Sequence, residues 1–257
     1  MSRAPRLLAV FAHPDDESLA CGGTLARLAQ AGVEVSLVCA TRGEAGSINP
    51  ALGIPRTALG DVRESELRDA ARVLGVHEVV VLGHRDGMLS WIDPARVEID
   101  LERVFDRLSP DAVLTFGADG LYWHPDHVAI AARTATVVSG RAERQPVALY
   151  EVTLPAGAMA RLVEAVRAAT DDETISPWGL EAEAFGKGAL PPTLVVDVSG
   201  QIDRKLRALA CHRSQLGPSN PLAHLSRDLA LAHLAVEHFH LAPCSPRRHG
   251  LMDALAR

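Results

Sequence analysis

Leu7-Leu8-Ala9-Val10-Phe11 is an unbroken apolar run that stops abruptly at Ala12-His13-Pro14-Asp15-Asp16-Glu17. A run this short, apolar at every position and bounded by charge, reads as a strand buried on both faces of a parallel sheet. Past the polar turn, Leu19, Leu25, Leu28 and Ala29 recur at helical spacing as far as Ala31-Gly32, a helix-end signal. The pattern then repeats. Residues 33–40 form a second β-branched run, a loop rich in Gly and Pro covers 42–60, and a helix is predicted from Asp61 to Gly75. Residues 79–82 are a third strand, Pro94 opens a helix that runs to Leu108, and residues 112–116 are a fourth strand. Alternation of this kind implies right-handed crossovers and a mostly parallel sheet with helices on both faces, a Rossmann-like α/β fold.

Further along, the periodicity predicts helices over 126–138 and 158–168, with strand-like segments at 147–152 and 194–198. Two helices are expected in the C-terminal part that starts at about residue 200, over 202–216 and 221–239. No internal repeat or low-complexity linker interrupts the chain, so one domain over residues 1–257 is expected. The loop at 171–192 is long enough to suggest a mobile or substrate-covering segment.

Composition narrows the function. The chain has 257 residues, 47% hydrophobic and 23% charged, enough for a full core and unlike a disordered sequence. Lys and Arg total 26 against 32 Asp and Glu, a net charge of -6. A chain-wide basic footprint for nucleic acid or an anionic membrane is therefore absent. The four cysteines form no C-x-x-C pair, and Cys21 and Cys39 fall in a predicted helix and strand as inert buried thiols. Residues 1–6 lead straight into a strand without a signal-peptide pattern, and no apolar run is long enough to span a membrane. A cytoplasmic protein is expected.

In an open α/β sheet, ligands bind outside the carboxyl ends of the strands. Two His/Asp clusters stand there: His13-Pro14-Asp15-Asp16 after the first strand, and Tyr122-Trp123-His124-Pro125-Asp126-His127 after the fourth. Zinc accepts imidazole nitrogen and carboxylate oxygen, and three protein ligands plus water make a catalytic site. His13, Asp16 and one histidine of the second cluster supply such a set, and Asp15 is then a spare carboxylate in the position of a general base. Taken alone, either cluster could be helix capping, with Pro125 as a helix-start proline. The two together at one sheet edge favour the metal.

These clusters resemble the paired signatures of the PIG-L/LmbE-like family of zinc-dependent N-deacetylases, which act on N-acetylglucosamine-containing compounds. The likeness continues through Thr41-Arg42-Gly43-Glu44, Arg63-x-x-Glu66-Leu67, Leu82-Gly83-x-Arg85-Asp86 and His212-x-Ser214-Gln215. Residues 140–190 contribute nothing to it, and Arg85-Asp86-Gly87-Met88 is one residue shorter than the family's Arg-Asp-Ser-Gly-Met. The resemblance implies zinc held by His13, Asp16 and His127, with Asp15 as the base that takes a proton from the attacking water. It also implies that a protonated His124 stabilises the oxyanion and protonates the leaving amine, that Asp126 orients the His124 ring, and that Tyr122 stands near the reacting carbonyl. Iron(II) could replace zinc on the same ligands.

The substrate is then an N-acetylated amino sugar or its conjugate, preferably with a small polar aglycone. Arg63 and Asp86, and after them Glu44 and Arg42, are the candidates to bind it, with surface ion pairs as the competing reading. His212 reads as a structural histidine on a C-terminal helix. His224, His233, His238, His240 and His249 form a His-rich tail, in which His233 and Glu237 are four apart but lack a third ligand. That tail could pack on a second copy of the chain. Two other functions stay open: a broader amidase on small amide conjugates, and a non-catalytic sugar- or nucleotide-binding module.

Overall fold

The computed structural model describes residues 3–246 and 251–252. Strand β1 (Arg6–Phe11) occupies the middle of the sheet, where Leu7 to Phe11 are fully enclosed. Strand β2 (Glu34–Thr41) pairs with it in parallel, Arg6 against Glu34, and β3 (Glu78–His84) lies beyond. On the other side come β4 (Ala112–Phe116), with Leu7 against Ala112, and then β5 (Ala148–Val152), both parallel as well. Strands β6 (Leu194–Asp197) and β7 (Val236–Leu241) complete seven strands in the order β3-β2-β1-β4-β5-β7-β6.

The helices cover both faces. Helices α1 (Asp16–Gln30) and α2 (Leu59–Leu74) follow β1 and β2 and pack together. Helix α3 (Pro94–Leu108) packs on α5 (Pro125–Gly140), which follows β4 after a single kinked turn, α4 (Gly120–Trp123). Helix α6 (Ala158–Thr170) carries a satellite core of Met159, Leu162 and Val166 with Ile175 and Phe185. Helix α7 (Ile202–Leu209) packs on α1 and α2, and α8 (Arg227–Leu234) packs on α6 and α7. The direction of crossover therefore changes between β1 and β4, and that switch point opens a crevice at their carboxyl ends.

The C-terminal part departs from the expected pair of helices. The second one ends at Leu234, and β7 follows, antiparallel to both β5 and β6. The reason lies in residues 236–239, where Glu237 and Phe239 turn inward and Val236 outward, a period of two that the histidines mask as polarity. The first helix stops at Leu209 instead of 216, because the polar side chains of His212, Ser214 and Gln215 leave it to bond with neighbouring segments. His233 and Glu237 consequently sit on different elements, and Glu237 is buried against Lys205 at 2.6 Å, so the two form no metal pair. His249 lies outside the described residues. Among the described residues, no helix is long and apolar enough to cross a membrane.

Candidate metal centre

The loops leaving β1 and β4 meet across the crevice. Nδ1 of His13 lies 3.1 Å from Nε2 of His127. Asp16 closes the triangle, with Oδ2 3.6 Å from His13 Nδ1 and Oδ1 3.3 Å from His127 Nε2. Donor atoms each about 2.0–2.1 Å from a tetrahedral metal stand about 3.3–3.4 Å from one another. The two imidazole nitrogens are close to that spacing, and Asp16 approaches one of them with each of its carboxylate oxygens. The other ring nitrogens are engaged elsewhere. His127 Nδ1 donates to the carbonyl of Gly120 at 3.0 Å. His13 Nε2 faces Asp86 at 3.0 Å and Asp126 at 3.4 Å. Such outer partners fix the tautomers that aim the remaining lone pairs inward, a pattern typical of metal-ligating histidines.

Electrostatics agree with this donor set. Burial opposes ionisation of Asp16, but His127 and His13 hold its carboxyl below the usual range. Burial drives His127 down to about 3, so its imidazole is neutral, the form that ligates a metal. His13 is enclosed too, yet Asp126, Asp16 and Asp86 outweigh burial and push it up. So many carboxylates around one ring call for a cation, and a divalent metal fits. His13 also belongs to two other possible ligand triads, one with His124 and His127 and one with Asp86 and Asp126. The second of these is better read as the outer shell, since Asp86 accepts from Ala45 N–H and Asp126 from the amides of Gly87 and Leu89.

Local sequence explains how these side chains are aimed. Asp15 sits at φ 116°, a left-handed conformation that is strained for a non-glycine residue, and the amides of Ser18 and Leu19 bond to its carbonyl at 3.1 and 3.2 Å. In the second loop Gly120, Leu121 and Trp123 all have positive φ, while Pro125 starts α5 and the His124 ring caps it. Strain of this kind collects at functional sites. The His124 cap is a bond from Asp126 N–H to Nδ1 at 3.2 Å, so Nε2 is left as the protonated nitrogen. The main chain of Asp126, not its carboxylate, therefore sets the His124 ring. Burial and His13 together lower His124, which favours the neutral form of the ring.

Arg63 organises the opposite wall. Its guanidinium donates to Pro14 O at 2.6 Å, Gly43 O at 2.8 Å and Asp15 Oδ2 at 3.1 Å. Gly43 and Gly46 make room for it, since a Cβ on either would collide with the guanidinium. Burial raises Asp15 to about 6 even against this neighbouring charge. Asp86 is held at about 2, its burial outweighed by His13 and other partners.

These groups line one cavity of about 350 Å³, which contains His13, Asp15, Asp16, Arg63, Asp86, Tyr122 and His124. His127 and Asp126 lie directly beneath it, almost wholly buried. The Tyr122 ring packs on Phe185 at 4.6 Å and faces His127 at 5.3 Å. Glu44 stands outside the cavity and accepts from Asp86 N–H at 3.0 Å, a supporting position. Arg42 is not brought in at all. It is exposed and paired with Asp61 and Glu64, so the competing surface reading holds for it. The 171–192 loop contributes Trp178 and Leu180 to the wall. His212 and Gln215 line it too, although the sequence reads His212 as merely structural and assigns Gln215 no role. The only sequence signal for them is the His-x-Ser-Gln pattern itself.

Comparison with known proteins places this geometry in context. Residues 8–138 match the model of the family described as PIG-L: GlcNAc-PI de-N-acetylase. The chain is 35% identical over 260 residues to a 1D-myo-inositol 2-acetamido-2-deoxy-alpha-D-glucopyranoside deacetylase of Acidothermus cellulolyticus, covering 91% of this chain and 87% of the relative. It is 34% identical over 276 residues to the Mycobacterium tuberculosis (strain ATCC 25177 / H37Ra) protein of the same name, covering 94% and 91%. Among solved structures, the conserved protein TT1542 from Thermus thermophilus superposes with a TM-score of 0.61 at 26% identity, covering 92% of this chain and 94% of that one.

Proposed function

This chain belongs to the PIG-L GlcNAc-PI de-N-acetylase family, and on that premise we propose that it removes the acetyl group from an N-acetylglucosamine conjugate. The protein is an amide-bond hydrolase of the deacetylase type. The observation that carries the reading is the triangle of His13, Asp16 and His127 with the Asp15 carboxylate at its edge. His13, Asp16 and His127 would hold a divalent metal, zinc by donor preference with iron(II) as the alternative, which would lower the pKa of a bound water and act as a Lewis acid.

The protein's own groups do the rest. Asp15 accepts a proton from the attacking water as the water oxygen bonds to the amide carbon and the carbonyl electron pair moves onto oxygen. Its raised affinity for protons, about 6 where an ordinary carboxyl is lower, suits a group that must take a proton and give it back. His124 donates its Nε2–H to the developing oxyanion. The oxyanion pair re-forms the carbonyl and the C–N bond breaks as Asp15 passes its proton to the leaving nitrogen, giving a primary amine and acetic acid, whose remaining proton ionises to the amine or solvent to leave acetate. The lowered His124 favours the neutral ring at rest, and we therefore assign the acid step to Asp15. We assign Tyr122, which lines the cavity, a position near the reacting carbonyl.

The substrate follows from the walls. Asp86 and Gln215 offer hydrogen bonds to sugar hydroxyls, while Trp178 offers an aromatic face to the sugar's C–H side. We take residues 1–257 to act as one catalytic domain in the cytoplasm, on a small molecule and without nucleic acid. The test is Asp15→Ala. We expect metal content to stay at the wild-type level while hydrolysis falls about 10²–10⁴-fold. Full activity in that variant would remove Asp15 from the mechanism.

A further inference from the structure

The strained backbone at Asp15 needs something to hold it, and that support traces to a residue 197 positions away in sequence. The Asp15 N–H donates to Glu17 Oε2 at 3.1 Å. The other carboxylate oxygen, Oε1, meets His212 Nε2 at 2.9 Å and accepts from Ser18 Oγ at 2.5 Å. Glu17 is fully enclosed and His212 is 2% exposed, so neither group exchanges these partners for bulk water. His212 is itself fixed. Two residues on, Ser214 N–H and Oγ donate to Glu66 on α2 at 2.9 and 2.6 Å, and Gln215 Nε2 donates to Ser47 O at 2.9 Å. The segment after α7 is thus bolted to α1, α2 and the loop after β2 at once.

We propose that His212 is a positioning residue for catalysis, which acts through Glu17 to keep Asp15 in the left-handed conformation that aims its carboxylate into the cavity. The proposal rests on the deacetylase reading for its kinetic consequences, though not for its structural ones. A non-glycine residue at φ 116° relaxes toward an extended or helical conformation unless its surroundings forbid it. Arg63 restrains the carboxylate end of Asp15 and Glu17 restrains the amide end. Freed of His212, the Glu17 carboxylate is buried with only Ser18 and Asp15 to satisfy it, and it turns toward any other donor. Asp15 then keeps its charge and its Arg63 contact but loses its aim. Misplacing a catalytic group by about 1 Å costs up to about 100-fold in rate. The ligands His13, Asp16 and His127 take no bond from His212, so metal binding should not depend on it.

The test compares His212→Leu, which keeps the volume and cannot donate, with His212→Gln, which can. For His212→Leu we expect kcat to fall about 10–100-fold with KM within about twofold and metal content unchanged, and His212→Gln to recover most of the loss. A kcat within about twofold of wild type, a rise in KM instead of a fall in kcat, or loss of metal would each overturn the proposal. Amide hydrogen exchange at Asp15 gives a reading without turnover. We expect this amide to be strongly protected in the wild type and to exchange faster in His212→Leu with the rest of α1 unaffected. If His212→Leu does not fold, fast exchange of the Asp15 amide in the wild type overturns the proposal and strong protection supports it. If the wild type hydrolyses no N-acetylated substrate, the assigned reaction fails while the exchange result still decides the role of His212.

Discussion

Arg63 shows how much one side chain organises the site. It holds two main-chain carbonyls and the Asp15 carboxylate from a position 4% exposed, reached only because two glycines leave room. Lysine has no planar fork and gathers its three donors on a single nitrogen, so it cannot reproduce bonds that leave from two guanidinium nitrogens. Arg63→Lys should therefore lower stability by about 2 kcal/mol, measured by urea denaturation, and lower kcat/KM as Asp15 drifts. An unchanged denaturation midpoint would contradict this account. Most of the candidate cluster that the fold brings together was readable at this scale. His13, Asp16 and the second cluster declare themselves because ligand types and strand-end placement are both visible in sequence. Glu17 and His212 do not, since their contact spans the chain and a buried histidine has no sequence signature of its own. Arg42 misled for the opposite reason: an arginine beside a conforming motif reads as functional until its exposed partners are seen.

Elements impose a second layer of constraint. Glu237 on β7 accepts from the amides of Gly23 and Thr24 on α1 at 2.9 and 2.7 Å and from Lys205 on α7, which ties the antiparallel edge to the helix that begins at Asp16. Lys205→Met leaves that carboxylate buried without its counter-charge. We expect a loss of about 3–5 kcal/mol in unfolding free energy, partly recovered when Glu237→Gln is added. A second prediction concerns pH. Burial lowers the His212 pKa, but Glu17 and Asp15 outweigh both burial and Arg63 and raise it above 6.5. A raised folded-state value means that the stabilisation from protonated His212 is fully present below about 6.5 and is lost as pH rises through the folded value. The stability gap between wild type and His212→Leu should thus narrow from about pH 6 to about pH 9 in urea titrations, and a gap that widens would reverse the sign. The parallel half of the sheet was legible because its strands are short, mostly apolar runs rich in Val and Leu. Strand β7 was not, because Val236-Glu237-His238-Phe239-His240 alternates with histidines on one face and Glu237 beside Phe239 on the inner one, and that inward glutamate only makes sense beside Lys205.

At the scale of the whole molecule, the chemistry sits where the fold requires it. The sheet order places β1 beside β4, the crossovers diverge there, and both signature loops leave the same edge. Neither loop can assemble the metal ligands alone, since His13 and Asp16 come from one and His127 from the other. A bound metal therefore joins two halves of the sheet, and removing it should lower the melting temperature as well as the activity, with zinc restoring both. The segment 171–192 and the His212 strap complete the walls from parts of the chain that carry little recognisable pattern, which is why the substrate's aglycone is the least legible feature from sequence.

The most direct test of the central claim is primary-amine release from N-acetylglucosaminyl-inositol, N-acetylglucosaminyl-malate and diacetylchitobiose, each measured with and without chelator. The account predicts amine release from at least one of them that chelator abolishes and added zinc restores, with an equal amount of acetate formed. Release that persists after chelation, or none from any of the three with metal shown to be bound, would contradict it.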